Sequence, residues 1–188
     1  TFAFSMILIN QIENSVKSNL IANSRSFDYL ILHLKEEALA KSRLFSSNVE
    51  LREALLDNDF KKIDSLSTEF MKRENLGFLT VSDSEGNVIL RAHSTTKKGD
   101  SILGSEATKR ALDGFSVSTI DNSPIENFSI RSVSPMIFKG SVAGFVSTGF
   151  LLDESFVGDL KKLTGLDVSV FENDTVVAST IIGHDDRT

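Results

Sequence analysis

The 188-residue chain is 40% apolar and 24% charged, carries a net charge of −6, and has no cysteine, no tryptophan, 2 prolines and 14 phenylalanines. Without cysteine there is no disulfide framework, thiolate nucleophile, zinc finger or CxxCH haem attachment, and the acidic balance leaves no basic footprint for nucleic acid. The composition is that of an ordinary globular protein, and the length suits one large domain or two small ones.

The chain opens TFAFSMILI, nine mostly apolar residues, where a membrane span needs roughly 20. This run is either a buried first helical turn or the outer end of a transmembrane helix. An opening Thr1 and a closing Ile182–Thr188 run without cap or strand are what a piece of a longer chain would show. From residue 2 to about 43 there is neither Pro nor Gly, and apolar side chains fall at Ile9, Ile12, Val16, Leu20, Phe27, Ile31, Leu34 and Ala38. Steps of three and four predict one stripe of a long helix, about 60 Å at 1.5 Å per residue. A helix longer than its domain needs a further partner for that stripe, and a second copy of itself is the simplest. The alternative is two shorter helices broken near Asn23-Ser24.

Ser46 or Ser47 can cap a short helix through Leu56, and Asp57-Asn58-Asp59 is turn chemistry. Phe60, Ile63, Leu66 and Phe70 predict another helical face, ending near Asn75-Leu76-Gly77. There the period changes. Phe78–Ser82 and Val88–His93 read as paired strands around Asp83–Asn87. Ser105–Leu112 reads as a short helix stopped at Gly114. Three further strands are predicted over Phe115–Ile120, Phe128–Phe138 and Ser141–Leu151, the last two joined by Lys139-Gly140. Asp153 caps a helix through Leu163, and Asp167–Phe171 with Thr175–Thr180 forms a last hairpin. Five strands around a short helix argue an α+β fold with an antiparallel sheet.

Catalytic signatures are missing. His33, His93 and His184 have no HExxH or HxxxH partner, and no GxSxG, GxxxxGK[ST] or GxGxxG run occurs. A hydrolase would need an acid/base pair near His93, and neither Asp83 nor Asp100 has suitable spacing. Gly140, Gly144 and Gly149 read as close-packing or bulge positions.

What is present is cationic. Arg91 and His93 stand two apart on a predicted strand and so share a face. Arg131 lies on another strand, and one of Ser147 and Thr148 faces the same way on the next. If these strands are neighbours, two guanidiniums, an imidazole and several hydroxyls converge into a cup for a small anion, since Arg grips a carboxylate with two parallel hydrogen bonds. The alternative is that the arginines pair with local carboxylates such as Asp83, Glu85 or Asp100.

With those residues in view, a resemblance appears. The DxxGN turn (Asp83–Asn87), the Arg91/His93 strand, the ALxG helix end (Ala111–Gly114), the RxxSP strand (Arg131–Pro135) and the GxVxGxVSxG strand (Gly140–Gly149) follow one another in order. Over about residues 76–156 this resembles the Cache / PAS-like extracytoplasmic sensor domains, similar to those of citrate- and C4-dicarboxylate-sensing histidine kinases. The helical preamble from Leu51 to Gly77 also looks like Cache domains of chemoreceptors and sensor kinases.

The resemblance implies a non-enzymatic, periplasmic sensor domain of an inner-membrane receptor: a chemoreceptor, histidine kinase or diguanylate cyclase. It implies a homodimer through the N-terminal helix and no cofactor. It assigns ligand carboxylates to Arg91, His93 and Arg131, with Ser134 and Thr148 as further contacts, although the kinases' Arg and His are three apart and here two. Residues 1–76 would be the helical region, 77–152 the PAS-like core, and 153–188 a helix and hairpin that either opens a second Cache module or decorates a single one. The alternative function is a ligand-free dimerisation or interaction module, which predicts a pocket filled by its own side chains, such as Phe128 or Phe138.

Overall fold

The computed structural model describes residues 25–94 and 96–181. The predicted positions Ile9–Leu20, the Asn23-Ser24 break and the C-terminal run lie outside them. The chain divides into two compact units at Leu34/Lys35.

Helix α1 covers residues 25–46, with Ala38, Ser42 and Phe45 buried three to four apart. It runs three residues beyond the predicted end, so Ser46 belongs to it. The cap of α2 (Val49–Leu56) is Asn48, whose side chain accepts from the Leu51 N–H. Helix α3 (Phe60–Arg73) is capped by Asp59 and buries Ile63, Ser67 and Phe70, while Phe60 is exposed. Among the described residues no helix is long and apolar enough to cross a membrane.

Five strands follow: β1 (Phe78–Asp83), β2 (Val88–Arg91), β3 (Val117–Ser123), β4 (Asn127–Phe138) and β5 (Ser141–Leu151), with α4 (Glu106–Leu112) between β2 and β3. They form one sheet in the order β2-β1-β5-β4-β3, antiparallel throughout. The α+β expectation with a five-stranded antiparallel sheet is borne out. Lys139 and Gly140, both with positive φ (50° and 82°), make the two-residue β4–β5 turn. Then α5 (Glu154–Thr164), capped by Asp153, leads to the separate hairpin β6 (Ser169–Glu172) and β7 (Thr175–Ser179).

Because side chains alternate along a strand, the sheet has two unlike faces. Leu79, Val81, Met136 and Val146 pack on Phe45, Leu51, Leu55, Ile63 and Phe70 of α1–α3. On the other face Val133 and Phe145 pack on Ala107 and Ala111 of α4. Register puts Arg91 opposite Thr80, Thr80 opposite Ser147, and Arg131 opposite Gly149 and Thr119. These residues all lie on the α4 side. The strands approach closely at Gly149, where a Cβ would collide with the Ile130 carbonyl and stand 2.6 Å from the Phe78 ring.

Candidate functional site

A buried guanidinium stays charged, so it must find acceptors. Arg91 on β2 and Arg131 on β4 are 3% and 4% exposed, and two strands separate them. Both find the same partner, Glu126. Arg91 Nε donates to Glu126 Oε1 at 3.2 Å, and Arg131 Nη2 donates to Oε2 at 3.0 Å. Thr80 Oγ1 donates to Oε1 at 3.5 Å, and Ser123 Oγ donates to Oε2.

Further acceptors surround both guanidiniums. Arg91 forks onto Asp100 at 2.6 and 2.8 Å and reaches the Lys97 carbonyl at 3.0 Å. Arg131 donates to Ser147 Oγ at 3.3 Å and Ser123 Oγ at 3.2 Å, and its Nε stands 3.4 Å from Asp121 Oδ2. Its guanidinium lies over the Phe78 ring, 4.9 Å from the centroid.

Glu126 comes from the three-residue loop Pro124-Ile125-Glu126 that closes β3 onto β4 at the Ser123–Asn127 pair. Asn127 takes the left-handed conformation (φ 52°), which asparagine tolerates. The Glu126 N–H donates to Ser123 Oγ at 3.0 Å, so serine and glutamate hold one another across the turn. Burial alone would raise the Glu126 pKa. The His93 ring close by, the hydrogen bond from Ser123, and the charge and hydrogen bond of Arg131 outweigh that and hold it well below the usual carboxylate range. The hydrogen bond from Arg91 likewise lowers the Asp100 pKa.

His93 lies in the turn after β2, which ends at Arg91, two residues short of the predicted strand. Its place beside Arg91 therefore comes from the turn and not from strand alternation. The ring sits edge-on to Phe78 at 5.8 Å, and Nε2 stands 3.4 Å from Glu126 Oε1. Neither ring nitrogen makes a well-aligned hydrogen bond among the described residues.

Next to this cluster lies a cavity of about 200 Å³, lined by Arg91, Asp100, Ser105, Asp121, Asn122 and Arg131 among others. Three carboxylates (Asp100, Asp121 and Glu126) stand against two guanidiniums here, so the cup is not a bare cationic one. Phe128 and Phe138 do not line the cavity. Among the described residues no group of His, Asp and Glu is arranged to hold a metal ion.

Two expected contacts sit elsewhere. Ser134 and Thr148 lie on the opposite face of the sheet, against α1. Ser134 Oγ meets Ser42 Oγ at 2.7 Å, and Thr148 Oγ1 donates to the Ala38 carbonyl at 3.1 Å. Strand alternation is the reason: Ser134 is an odd number of residues from Arg131, and Thr148 follows Ser147, which is the hydroxyl that faces the site. Sequence reasoning missed Glu126, Ser123 and Asp121. The Ser-x-x-Glu spacing of Ser123 and Glu126, which is that of a capping box, is the signal that would have found the first two.

Comparison with known proteins places this geometry in context. Residues 13–185 match the model of a family described as the double sensory domain of two-component sensor kinase. No curated protein matches. The fold is similar to the sensor domain of Escherichia coli DcuS, at 21% identity and a TM-score of 0.60 over 70% of this chain and 97% of that one. It is similar to the periplasmic domain of Vibrio cholerae LuxQ, at 13% identity and a TM-score of 0.67 over 89% and 82%. It is also similar to the ligand-binding domain of the Campylobacter jejuni chemoreceptor Tlp3 in complex with 4-methylisoleucine, at 14% identity and a TM-score of 0.51 over 91% and 71%. At these identities the likeness is one of fold.

Proposed function

The chain belongs to the double sensory domain family of two-component sensor kinases, and from that premise we propose that it is the extracytoplasmic part of a transmembrane receptor that senses a small carboxylate. The observation that carries this is the meeting of Arg91, Arg131 and His93 around one buried carboxylate oxygen pair. Donors that hold the carboxylate of Glu126 have the spacing to hold a ligand's carboxylate in its place. His93 adds ring nitrogens not otherwise engaged.

The same face suggests how occupancy is transmitted. Ser147 accepts from Arg131 on the site side of β5, and the next residue, Thr148, holds the Ala38 carbonyl of α1 on the other. A displacement of Arg131 therefore has a two-residue route to α1. A tenfold difference in ligand affinity between two arrangements supplies about 1.4 kcal/mol to bias them. In this reading α1 pairs with a second copy, Tyr29 and Leu32 being exposed apolar positions on it. The hairpin β6–β7 begins a second module, since two strands alone are marginal and Phe171 and Val176 are left exposed.

Calorimetric titration with citrate, malate, succinate, acetate and amino acids tests the reading. Uptake of one of the carboxylates, weakened at least tenfold by Arg131→Lys, is expected, because lysine keeps the charge and loses the fork. Absence of uptake by the wild type and by Glu126→Gln alike would overturn it. A second reading, a ligand-free interaction module, is favoured by one observation: the cup is satisfied by the chain's own Glu126. That reading expects no thermal shift with any metabolite.

A further inference from the structure

We propose that Glu126 is a tethered competitor for the ligand carboxylate and thereby sets which carboxylates this domain accepts. The inference rests on the carboxylate reading above and goes beyond it by naming a specificity-determining residue and the kind of ligand it rejects.

Three observations carry it. Glu126 occupies the donors of both arginines at once from an unpaired position: it hangs from the tip of the β3–β4 hairpin, five residues from Arg131 and 35 from Arg91. Apart from Glu126 itself, the loop that carries it has few anchors, with Pro124 exposed, Ile125 half-buried and Ser123 its local clamp. Finally, the cavity of about 200 Å³ opens beside the arginines and is lined by Pro124, Ile125 and Glu126 of this same loop and by Ser123 at its base. Withdrawal of the loop would therefore uncover the donors from the cavity side.

The energetics follow from exchange. A ligand carboxylate that replaces Glu126 makes the same bonds to the same donors, so the swap itself gains little. The tether presents Glu126 at an effective concentration in the millimolar range or above, as short linkers do. A free ligand must also overcome the loss of its translational freedom. A minimal carboxylate such as acetate has nothing with which to offset these costs. A larger one, with groups that fill the cavity beside Asp100, Ser105 and Asn122, does. The domain is thus deaf to the carboxylate alone and responds to the carboxylate with its substituents.

The test titrates acetate and succinate into the wild type, Glu126→Gln and Glu126→Asp, with folding checked by circular dichroism. Glutamine keeps the shape and removes the competing charge. Aspartate keeps the charge and withdraws it by one methylene, so it carries the comparison if the glutamine variant does not fold. The expected result is at least tenfold tighter binding of succinate by Glu126→Gln, a smaller gain in Glu126→Asp, and acetate binding that appears only when Glu126 is replaced. Succinate or acetate binding equally well to wild type and variants would overturn the competitor and leave the carboxylate reading standing. Failure of wild type and variants to bind either probe would overturn both.

Discussion

The two faces of the sheet are built from the same strands, yet they are held by different physics. Under α1–α3 the contacts are apolar: Phe45 stacks on Phe70 at 4.4 Å, and Leu79, Val81, Met136 and Val146 close beneath them. The polar bonds there, Ser42–Ser134 and Thr148–Ala38, are neutral and fully internal. Under α4 and the β3–β4 loop, two buried guanidiniums are balanced by Glu126, Asp100 and Asp121. Burial of apolar area stabilises without regard to what a solute does. A buried ion network is satisfied only while each charge keeps a partner, and its partners can be exchanged. The first face is suited to holding the fold, the second to responding.

Disrupting the apolar face should have the largest effect. Phe45→Ala removes a ring that is 1% exposed and should cost about 3–5 kcal/mol in urea unfolding, with carboxylate affinity of the folded fraction unchanged. A change below about 1 kcal/mol would mean that α1 does not hold the core as described.

The charged face comes next. Arg131→Met takes from Glu126 one of its two guanidiniums and from Asp121 its ion-pair partner, and should cost about 3 kcal/mol, as removal of one partner of a buried pair does. Combining it with Glu126→Gln should restore part of that loss. Strict additivity of the two changes would deny the coupling.

Acid provides a third comparison. The Glu126 carboxyl, ringed by Arg91, His93 and Arg131, has its pKa lowered from an ordinary 4.5, and Asp100 is lowered from 3.8. A lowered native pKa means that the unfolded chain takes up protons first. The stability these groups contribute is complete above about pH 4.5 and is lost as pH falls below it. The urea midpoint should therefore decline on the acid side, and Glu126→Gln should flatten that decline. An unchanged slope would show that Glu126 is not held as an anion.

The smallest effect sharpens the division between faces. Thr148→Val should cost about 1 kcal/mol through the lost bond to Ala38 and leave carboxylate binding within twofold. Loss of binding at unchanged stability would put Thr148 back in the site.

Much of this architecture was legible because its signals are local. Asp153 caps the helix expected after it, and Gly165 ends α5 in the left-handed conformation, since caps act within one turn; Asp59, read as turn, and Ser105, read as the first helical residue, turn out to be caps as well. The resemblance to Cache sensor domains, carried by motif order, is borne out by the family match over residues 13–185. The Ser46/Ser47 cap failed because the buried stripe of α1 runs on past Ala38 through Ser42 to Phe45 and carries the helix with it. Asp100, one of the local carboxylates open as a partner for Arg91, is its forked partner.

Alternation along a chain is a property of that chain, so the amino-acid order alone set which residues oppose which face, including the odd spacing that separates Ser134 from Arg131. What folding in three dimensions decided was the company kept by the buried charges. Arg91 and Arg131 share Glu126 because strand order folds a hairpin tip back between them, across 35 residues on one side and five on the other. A guanidinium removed from water takes whichever anion the packing delivers, and that delivery is a property of the whole sheet.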